Sequence, residues 1–134
     1  MSLTYSGITR NALLKIGVLD EYQSVSAVQV EDGIRLLNEM LIEWDEAGGI
    51  DLGFYPQTAS SDTVAIPRWA ERAVTLDLGV LFAADYHCDL TPAYLATQES
   101  SHSRMVAQAM GDSEADLGYA PRGQSKIGRN DGSL

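Results

Sequence analysis

The sequence predicts a mainly α-helical protein, a four-helix bundle with a small β-hairpin insertion and an extended C-terminal arm. Three observations carry this prediction. Apolar residues between positions 26 and 49 recur at helical spacing, with a helix signal at each end. Pro67 and Pro92 each stand where a further apolar run begins, and proline is favoured in the first turn of a helix. The last part of the chain is rich in Gly, Ser and charge. We therefore expect a helical bundle over residues 1–110 and an arm over residues 111–134.

The first helix is predicted from about Tyr5 to Ile16, and Gly17 ends it. Apolar residues recur within it in steps of three and four, which places them on one face. The inward residues of this helix are expected to be Ile8, Ala12, Leu13 and Ile16.

The second helix is predicted over about Ala27–Ala47. Ser26 and Gln29 match a capping box, in which each side chain accepts a hydrogen bond from the backbone N–H of the other residue. The Gly48-Gly49 pair supplies a left-handed stop. The expected core residues of this helix are Val30, Ile34, Leu37, Leu41 and Trp44.

Gly33 interrupts the second helix at a cost of about 1 kcal/mol relative to alanine. Either a neighbouring helix approaches closely at this position, or the position is exposed and the glycine is merely tolerated. Met40 and Ala47 continue the row of Gly33 along the helix, and this favours the close approach.

A β-hairpin is predicted at about residues 52–66. Leu52 to Tyr55 and Thr63 to Ile66 are short runs of strand-forming residues, and the polar segment 56–62 between them has the composition of a hairpin loop.

The third helix is predicted from about Arg68 to Tyr86 and is apolar on nearly every side between Ala73 and Ala84. A helix of this kind must be covered on several sides. We expect it to be the central helix of the bundle; the compatible alternative is that part of it forms a subunit interface. Its expected core residues are Trp69, Ala73, Leu76 and Val80.

The fourth helix is predicted to begin after Thr91, which reads as a cap before the first-turn Pro92. It is expected to end near Met110, because Gly111 follows.

The arm has few residues that could form a core of its own, so we expect it to bind a neighbouring subunit or another partner. Its charge agrees with this role. Residues 1–121 carry six bases and eighteen acids, a net charge of −12, whereas residues 122–134 carry three bases and one acid, a net charge of +2. A basic arm on an acidic body suits docking onto another acidic protein. The expected partner-binding residues are Leu117, Tyr119, Arg122, Lys126, Ile127, Arg129 and Leu134.

Composition limits the function further. The 134 residues, 45% of them hydrophobic, suffice for one domain but not for two. A net charge of −10 argues against tight DNA binding, because such binding needs Lys and Arg to neutralise phosphates. The single Cys88 forms no internal disulfide. The N-terminus shows no secretory leader and no apolar tract is long enough to span a membrane, so we expect a soluble protein.

The residues of metal-binding type that could meet in the fold lie at the end of the third helix, with one histidine from the fourth helix. Zinc needs three or four ligands at defined spacing, and an adjacent His and Cys do not easily reach one ion. The alternative is an ordinary helix C-terminus, where His complements the helix dipole, and we favour it. No metal and no cofactor are therefore predicted. The residues considered are Asp85, His87, Cys88, Asp89 and His102.

Two arrangements resemble catalytic groups. The carboxylates near the end of the second helix, Glu39, Glu43, Asp45 and Glu46, could imitate the acid pair of a glycosidase. That reaction needs a carboxyl with a raised pKa in a cleft and a separation of about 5 to 9 Å. A solvated surface run is the better interpretation, since Glu39 and Glu43 fall on the outer face. The consecutive residues 101–103, Ser-His-Ser, diverge around a helix, so no catalytic residue is predicted.

Three motifs, in order, resemble a known family. They are A-L-x-K-x-G-V at residues 12–18, L-N-x-M-L-x-E-W at residues 37–44 and I-P-x-x-x-E-R-A at residues 66–73. The sequence resembles the head-to-tail adaptors of short-tailed bacteriophages, also called packaged-DNA stabilisation or tail accessory proteins. The resemblance spans about residues 9–110.

The resemblance implies a structural protein of the virion and no enzyme. It implies a ring, typically a dodecamer, that sits beneath the portal, extends the DNA channel and joins the portal to the next tail or nozzle protein. DNA would pass without tight binding during packaging and ejection. The protein would be assembled in the host bacterial cytoplasm and stand at the head-tail junction, with no membrane involved. The alternatives are a helical adaptor unrelated to phage and, less favoured, a peptidoglycan-cleaving glycosidase.

Overall fold

The computed structural model describes residues 3–116 of the chain, with side chains to residue 111. Four α-helices occupy most of this part: α1 (Tyr5–Lys15), α2 (Ala27–Glu46), α3 (Glu71–Asp85) and α4 (Pro92–Asp116). A 3₁₀ turn, Arg68–Ala70, leads into α3. The mainly helical class and the four helices of the prediction are confirmed.

Side-chain caps start three of the helices. Thr4 Oγ1 accepts from the backbone N–H of Gly7 at 3.0 Å at the start of α1. The capping box of α2 is complete, with Ser26 Oγ and Gln29 Oε1 each accepting from the other's backbone N–H. Thr91 Oγ1 accepts from Tyr94 N at 3.0 Å at the start of α4. The signals read from the sequence at Ser26 and Thr91 therefore act as predicted.

Helix α3 is the central element, because α1, α2 and α4 all pack against it. Its residues from Ala73 to Gly79 are buried without interruption, as are Phe82 and Ala83. The core is completed by apolar residues of α1 and α2, and by Met105 and Ala109 of α4. The apolar circumference of α3 is thus covered from three sides.

The inward face of α2 is rotated relative to the prediction. Leu37 and Leu41 are buried, but Val30, Ile34 and Trp44 are only half-buried. The centre of the buried face is shared by Gly33, Leu36 and Met40, because α2 packs on α1 as well as on α3. Gly33 lies against α1, where a Cβ would collide with the side chain of Thr9. The close approach predicted at Gly33 is therefore confirmed.

Trp69 was expected in the core, and this expectation is wrong. Its side chain is 39% exposed, while the neighbouring Ala70 is fully buried. The 3₁₀ turn causes the difference: it has three residues per turn instead of 3.6, so Trp69 is not in line with the buried face of α3. The other expected core residues of α3 lie inward: Ala73 and Leu76 are buried and Val80 is half-buried.

The predicted β-hairpin at residues 52–66 is not supported. Thr63 forms an isolated antiparallel bridge with Thr4, and Val64 N donates to the carbonyl of Leu3 at 2.9 Å. The expected partner run contains Gly53 at φ +72°, which interrupts an extended strand. No strand forms anywhere in residues 3–116.

The segment after α2 is held over α1 and α2 by a group of hydrogen bonds around one tyrosine. Tyr5 Oη donates to Asn38 Oδ1 at 2.6 Å and accepts from the backbone N–H of Gln57 at 3.1 Å. Asn38 Nδ2 donates to the carbonyl of Gln57 at 2.9 Å. Leu52 and Val64 of the same segment are buried. Packing against the helices thus replaces the strand pairing that was predicted.

Helix α4 continues past its predicted end. Gly111 does not adopt a left-handed backbone, and the helix runs on to Asp116. Residues 111–116, predicted to begin the arm, belong to α4. Glycine in a helix interior lowers stability by only about 1 kcal/mol relative to alanine. A glycine therefore ends a helix only where its backbone adopts the left-handed conformation.

Candidate functional site

Helix α4 lies along α3 and leaves a groove on each of its flanks. The first, here called the acidic groove, lies between α2, α3 and α4 and has a volume of about 390 Å³. The second, here called the basic cleft, lies between the start of α3 and the second half of α4 and has a volume of about 200 Å³. These two concave surfaces are the candidate sites.

A polar cluster joins α3 to α4 beside the acidic groove. The Asp77 side chain is 7% exposed, and its Oδ1 accepts from Gln98 Nε2 at 2.5 Å. Its Oδ2 lies 2.7 Å from His102 Nδ1. The His102 ring meets Trp44 edge to face, with ring centroids 5.2 Å apart. A buried carboxylate needs such partners, and the cluster therefore fixes the position of α4 on α3.

The same region constrains Tyr94 of α4. Its hydroxyl donates to the carbonyl of Leu76 at 2.7 Å. Burial, and secondly the charge of Asp77, raise the pKa of Tyr94 to about 12. The ring packs directly over Gly79, where a Cβ would collide with the Tyr94 hydroxyl. Glycine at position 79 thus lets α4 approach α3 closely.

The Asp77–His102 pair resembles two members of a catalytic triad, but no nucleophile joins it in the described part of the chain. Ser101 and Ser103 flank His102 in the sequence; the buried side chain of Ser101 lines the basic cleft instead, and Ser103 is exposed. Ser101 therefore lies on a different side of α4 from His102, as predicted from the sequence for consecutive helical residues. The geometry gives the pair a structural role, linking two helices.

Sequence reasoning missed Asp77. The available signal was a carboxylate in the middle of an otherwise apolar, buried helix, since such a group must find hydrogen-bond donors. His102 was considered with the residues at the end of α3 as a metal-binding type, but the structure pairs it with Asp77. Across the described residues, no three His, Cys, Asp or Glu side chains come together as a metal site would require.

The carboxylates weighed as a glycosidase pair lie on the surface. Glu39 and Glu43 line the edge of the acidic groove and are exposed, and Asp45 and Glu46 are exposed at the end of α2. Glu39 lies 3.9 Å from a guanidinium nitrogen of Arg35. A general acid of that class needs a carboxyl shielded from water, and the carboxyls of Glu39 and Glu43 are both exposed. Glu39 and Glu43 thus form an acidic rim on a groove whose walls are largely apolar.

The basic cleft has the opposite character. Arg72 and Arg104 line it together with the partly exposed Trp69. Within the described part of the chain neither arginine forms an ion pair, and Arg104 has only a 3.4 Å contact with Ser100 Oγ. The Ser101 hydroxyl is buried there, and none of the described residues forms a hydrogen bond with it. Sequence reasoning missed this cleft, because Trp69 was assigned to the core.

One family of known proteins matches the sequence over nearly its whole length. The sequence model described as P22 tail accessory factor covers residues 1–129. The chain belongs to this family. The resemblance found in the three sequence motifs is thereby confirmed. No curated protein matches the chain significantly.

Membership of the P22 tail accessory factor family makes the chain a tail-associated structural protein of a bacteriophage and places it in the virion. None of the helices in the described region is long and apolar enough to cross a bilayer.

The residues of the predicted partner-binding arm lie outside the described residues: Leu117, Tyr119, Arg122, Lys126, Ile127, Arg129 and Leu134. All of them except Leu134 fall within the range that the family matches.

Proposed function

We propose that this protein is a head-to-tail adaptor subunit, which forms a ring beneath the phage portal and joins the portal to the next tail protein. The observation that carries the proposal is the family match over residues 1–129. The ring, by the family resemblance a dodecamer, would extend the DNA channel of the portal. Its work would be done by surfaces and would involve no turnover.

The charge distribution supports a place beside passing DNA. Residues 1–121 have a net charge of −12, six bases against eighteen acids. An acidic wall repels the phosphate backbone, so DNA can slide past it without binding. Tight binding would hinder both packaging and ejection.

The C-terminal arm is proposed to dock onto the portal or a neighbouring subunit. Its bases, Arg122, Lys126 and Arg129, oppose the charge of the body, and its apolar residues are spaced widely. Opposite charge on two surfaces accelerates and orients their association. The family pattern includes this stretch through Arg129.

The test is assembly of the full-length protein with the portal ring of the same phage. Native mass spectrometry and sedimentation would be measured for the protein alone, for the portal alone and for the mixture. We expect a closed ring of copies on each portal, visible as added density beneath it by electron microscopy. A protein that leaves the mass and sedimentation of the portal unchanged would refute the proposal. A portal from an unrelated phage is the control.

A further inference from the structure

The acidic groove and the basic cleft face different directions. On α3, Arg72 of the cleft and Asp77 of the groove are five positions apart, which is about 140° around a helix. On α4, Gln98 of the groove and Arg104 of the cleft are six positions apart, which is about 120° in the shorter sense. One copy of the chain therefore presents a basic surface on one flank of α4 and an acidic surface on the other.

The basic cleft has the composition of a binding hot spot. Trp and Arg are the residues most enriched at such spots. Trp69 is 39% exposed and lines the cleft together with the two arginines, which have no ion pair among the described residues. Lys15 and Glu71 line the adjoining pocket with Arg72, so this flank remains positive overall.

The acidic groove has a composition that complements the basic cleft, with apolar walls and acidic residues at the edge. Its walls include Leu36, Met40 and Leu81, and Glu39 and Glu43 stand at its edge. Its volume of about 390 Å³ lies within the range of pockets that hold small organic ligands, so an indole ring fits by size. The ion pair between Arg35 and Glu39 is 3.9 Å long, and both side chains are more than half exposed. Exposed pairs of this kind contribute little, so Glu39 can exchange its partner at small cost.

We propose that neighbouring copies join through these two surfaces: Trp69 of one copy enters the acidic groove of the next, and Arg72 and Arg104 pair with Glu39 and Glu43. A symmetric contact of either surface with itself would place like charges together, so the contact is heterologous. A heterologous contact repeats from copy to copy and closes into a ring when the rotation allows. The inference rests on the proposed function, since it assigns the surfaces that build the adaptor ring.

The test uses charge reversal in the full-length protein. R72E/R104E removes the positive surface, and E39K/E43K removes the negative one. Each variant alone should lose self-association, or ring formation on the portal, by at least about tenfold in the concentration needed. A matched control, E31K/E99K, reverses two exposed acids that line neither surface and should assemble almost as the natural protein does.

Mixing the two defective variants is the decisive measurement. An R72E/R104E copy keeps a natural acidic groove, and an E39K/E43K copy keeps a natural basic cleft. Their reversed surfaces also complement each other, so an equimolar mixture should form rings in which the variants alternate. The same reasoning predicts assembly by the single chain that carries all four substitutions. W69A, at a partly exposed position, should weaken assembly without unfolding the protein, which thermal melting checks.

The outcomes separate this contact from the adaptor role. If both reversal variants assemble as the natural protein does, or if mixing fails to restore rings, the proposed contact is wrong and the adaptor role stands. If reversal abolishes binding to the portal while copies still join one another, the surfaces serve a different partner and the contact is again wrong. If the natural protein binds no portal, the adaptor role itself fails.

Discussion

Replacing Gly33 by alanine tests how closely α1 and α2 are packed. A Cβ at position 33 would collide with the Thr9 hydroxyl and lie only 2.9 Å from Thr9 Cβ. Rotation of the Thr9 side chain cannot relieve the second contact, because Cβ is fixed to the backbone. The helices must separate, and overpacking of this kind costs about 1 to 3 kcal/mol. This cost outweighs the gain of up to about 1 kcal/mol that alanine brings to a helix.

Gly111→Ala is the matched control. Gly111 also lies inside a helix, but no atom of the described residues is within 4 Å of a Cβ built there. We expect this change to stabilise the protein by up to about 1 kcal/mol. Urea unfolding followed by circular dichroism would give both free energies of unfolding. Gly33→Ala should lower the stability, and Gly111→Ala should raise it or leave it unchanged.

A double variant identifies the cause. Thr9→Ala removes the hydroxyl and the methyl group that a Cβ at position 33 would meet, and the Thr9 hydroxyl has no hydrogen-bond partner in the described region. Thr9→Ala/Gly33→Ala should therefore recover part of the stability lost by Gly33→Ala alone, while the contact between the two Cβ atoms remains. If Gly33→Ala is as stable as Gly111→Ala, or if Thr9→Ala gives no recovery, the close approach of α1 and α2 is wrong.

Four further predictions follow from the same structure. Leu37→Ala should cost about 2 to 5 kcal/mol in urea unfolding, whereas Glu39→Ala should cost under about 0.5 kcal/mol. Burial first, then the hydrogen bond to Asp32 and nearby acidic charge, raise the pKa of Tyr86 from 10.0 to about 12. Folding thus favours the neutral form of Tyr86, and the stability that this preference contributes is intact below pH 10 and lost as the pH rises towards 12. Tyr86→Phe should reduce this alkaline loss of stability, measured by thermal melting between pH 10 and 12. The isolated protein should not shift duplex DNA in gels near physiological salt, where non-specific binders reach about 10⁻⁴ to 10⁻⁶ M. Deleting residues 117–134 should leave the melting temperature nearly unchanged but weaken portal binding, and normal binding would show that the arm is not a docking element.

The helix starts could be read from the sequence because local chemistry specifies them. Ser26 and Gln29 satisfy each other's backbone N–H groups within a single turn, and the Thr91 hydroxyl accepts from the backbone N–H of Tyr94 at the start of α4. Such signals involve residues three positions apart, so no knowledge of the rest of the fold is needed. The prediction at Gly33 also succeeded, because a glycine in a helix interior needs a packing reason.

The predictions that were wrong concern elements whose structure depends on partners distant in sequence. Residues 63–66 have strand-forming composition, but their backbone partner is the chain before α1 rather than residues 52–55. Strand propensity says that a segment is extended, and it does not say which segment it joins. The prediction for Trp69 was wrong for a related reason: it assumed the spacing of an α-helix, but residue 69 lies in a 3₁₀ turn.

The candidate surfaces also depend on distant partners, and helix α4 is where this dependence concentrates. α4 packs chiefly against α3, and the contacts that set its position are specific: Tyr94 over Gly79, and Gln98 and His102 on Asp77. Each groove has α3 on one side and α4 on the other, so a shift of α4 changes both grooves together. The charged surfaces that we propose for neighbouring copies are therefore coupled within one subunit by the polar cluster around the buried Asp77. Thr91 and Pro92 predicted the existence and the start of α4, but its position on α3 depends on the pairing of Asp77 with residues 21 and 25 positions away.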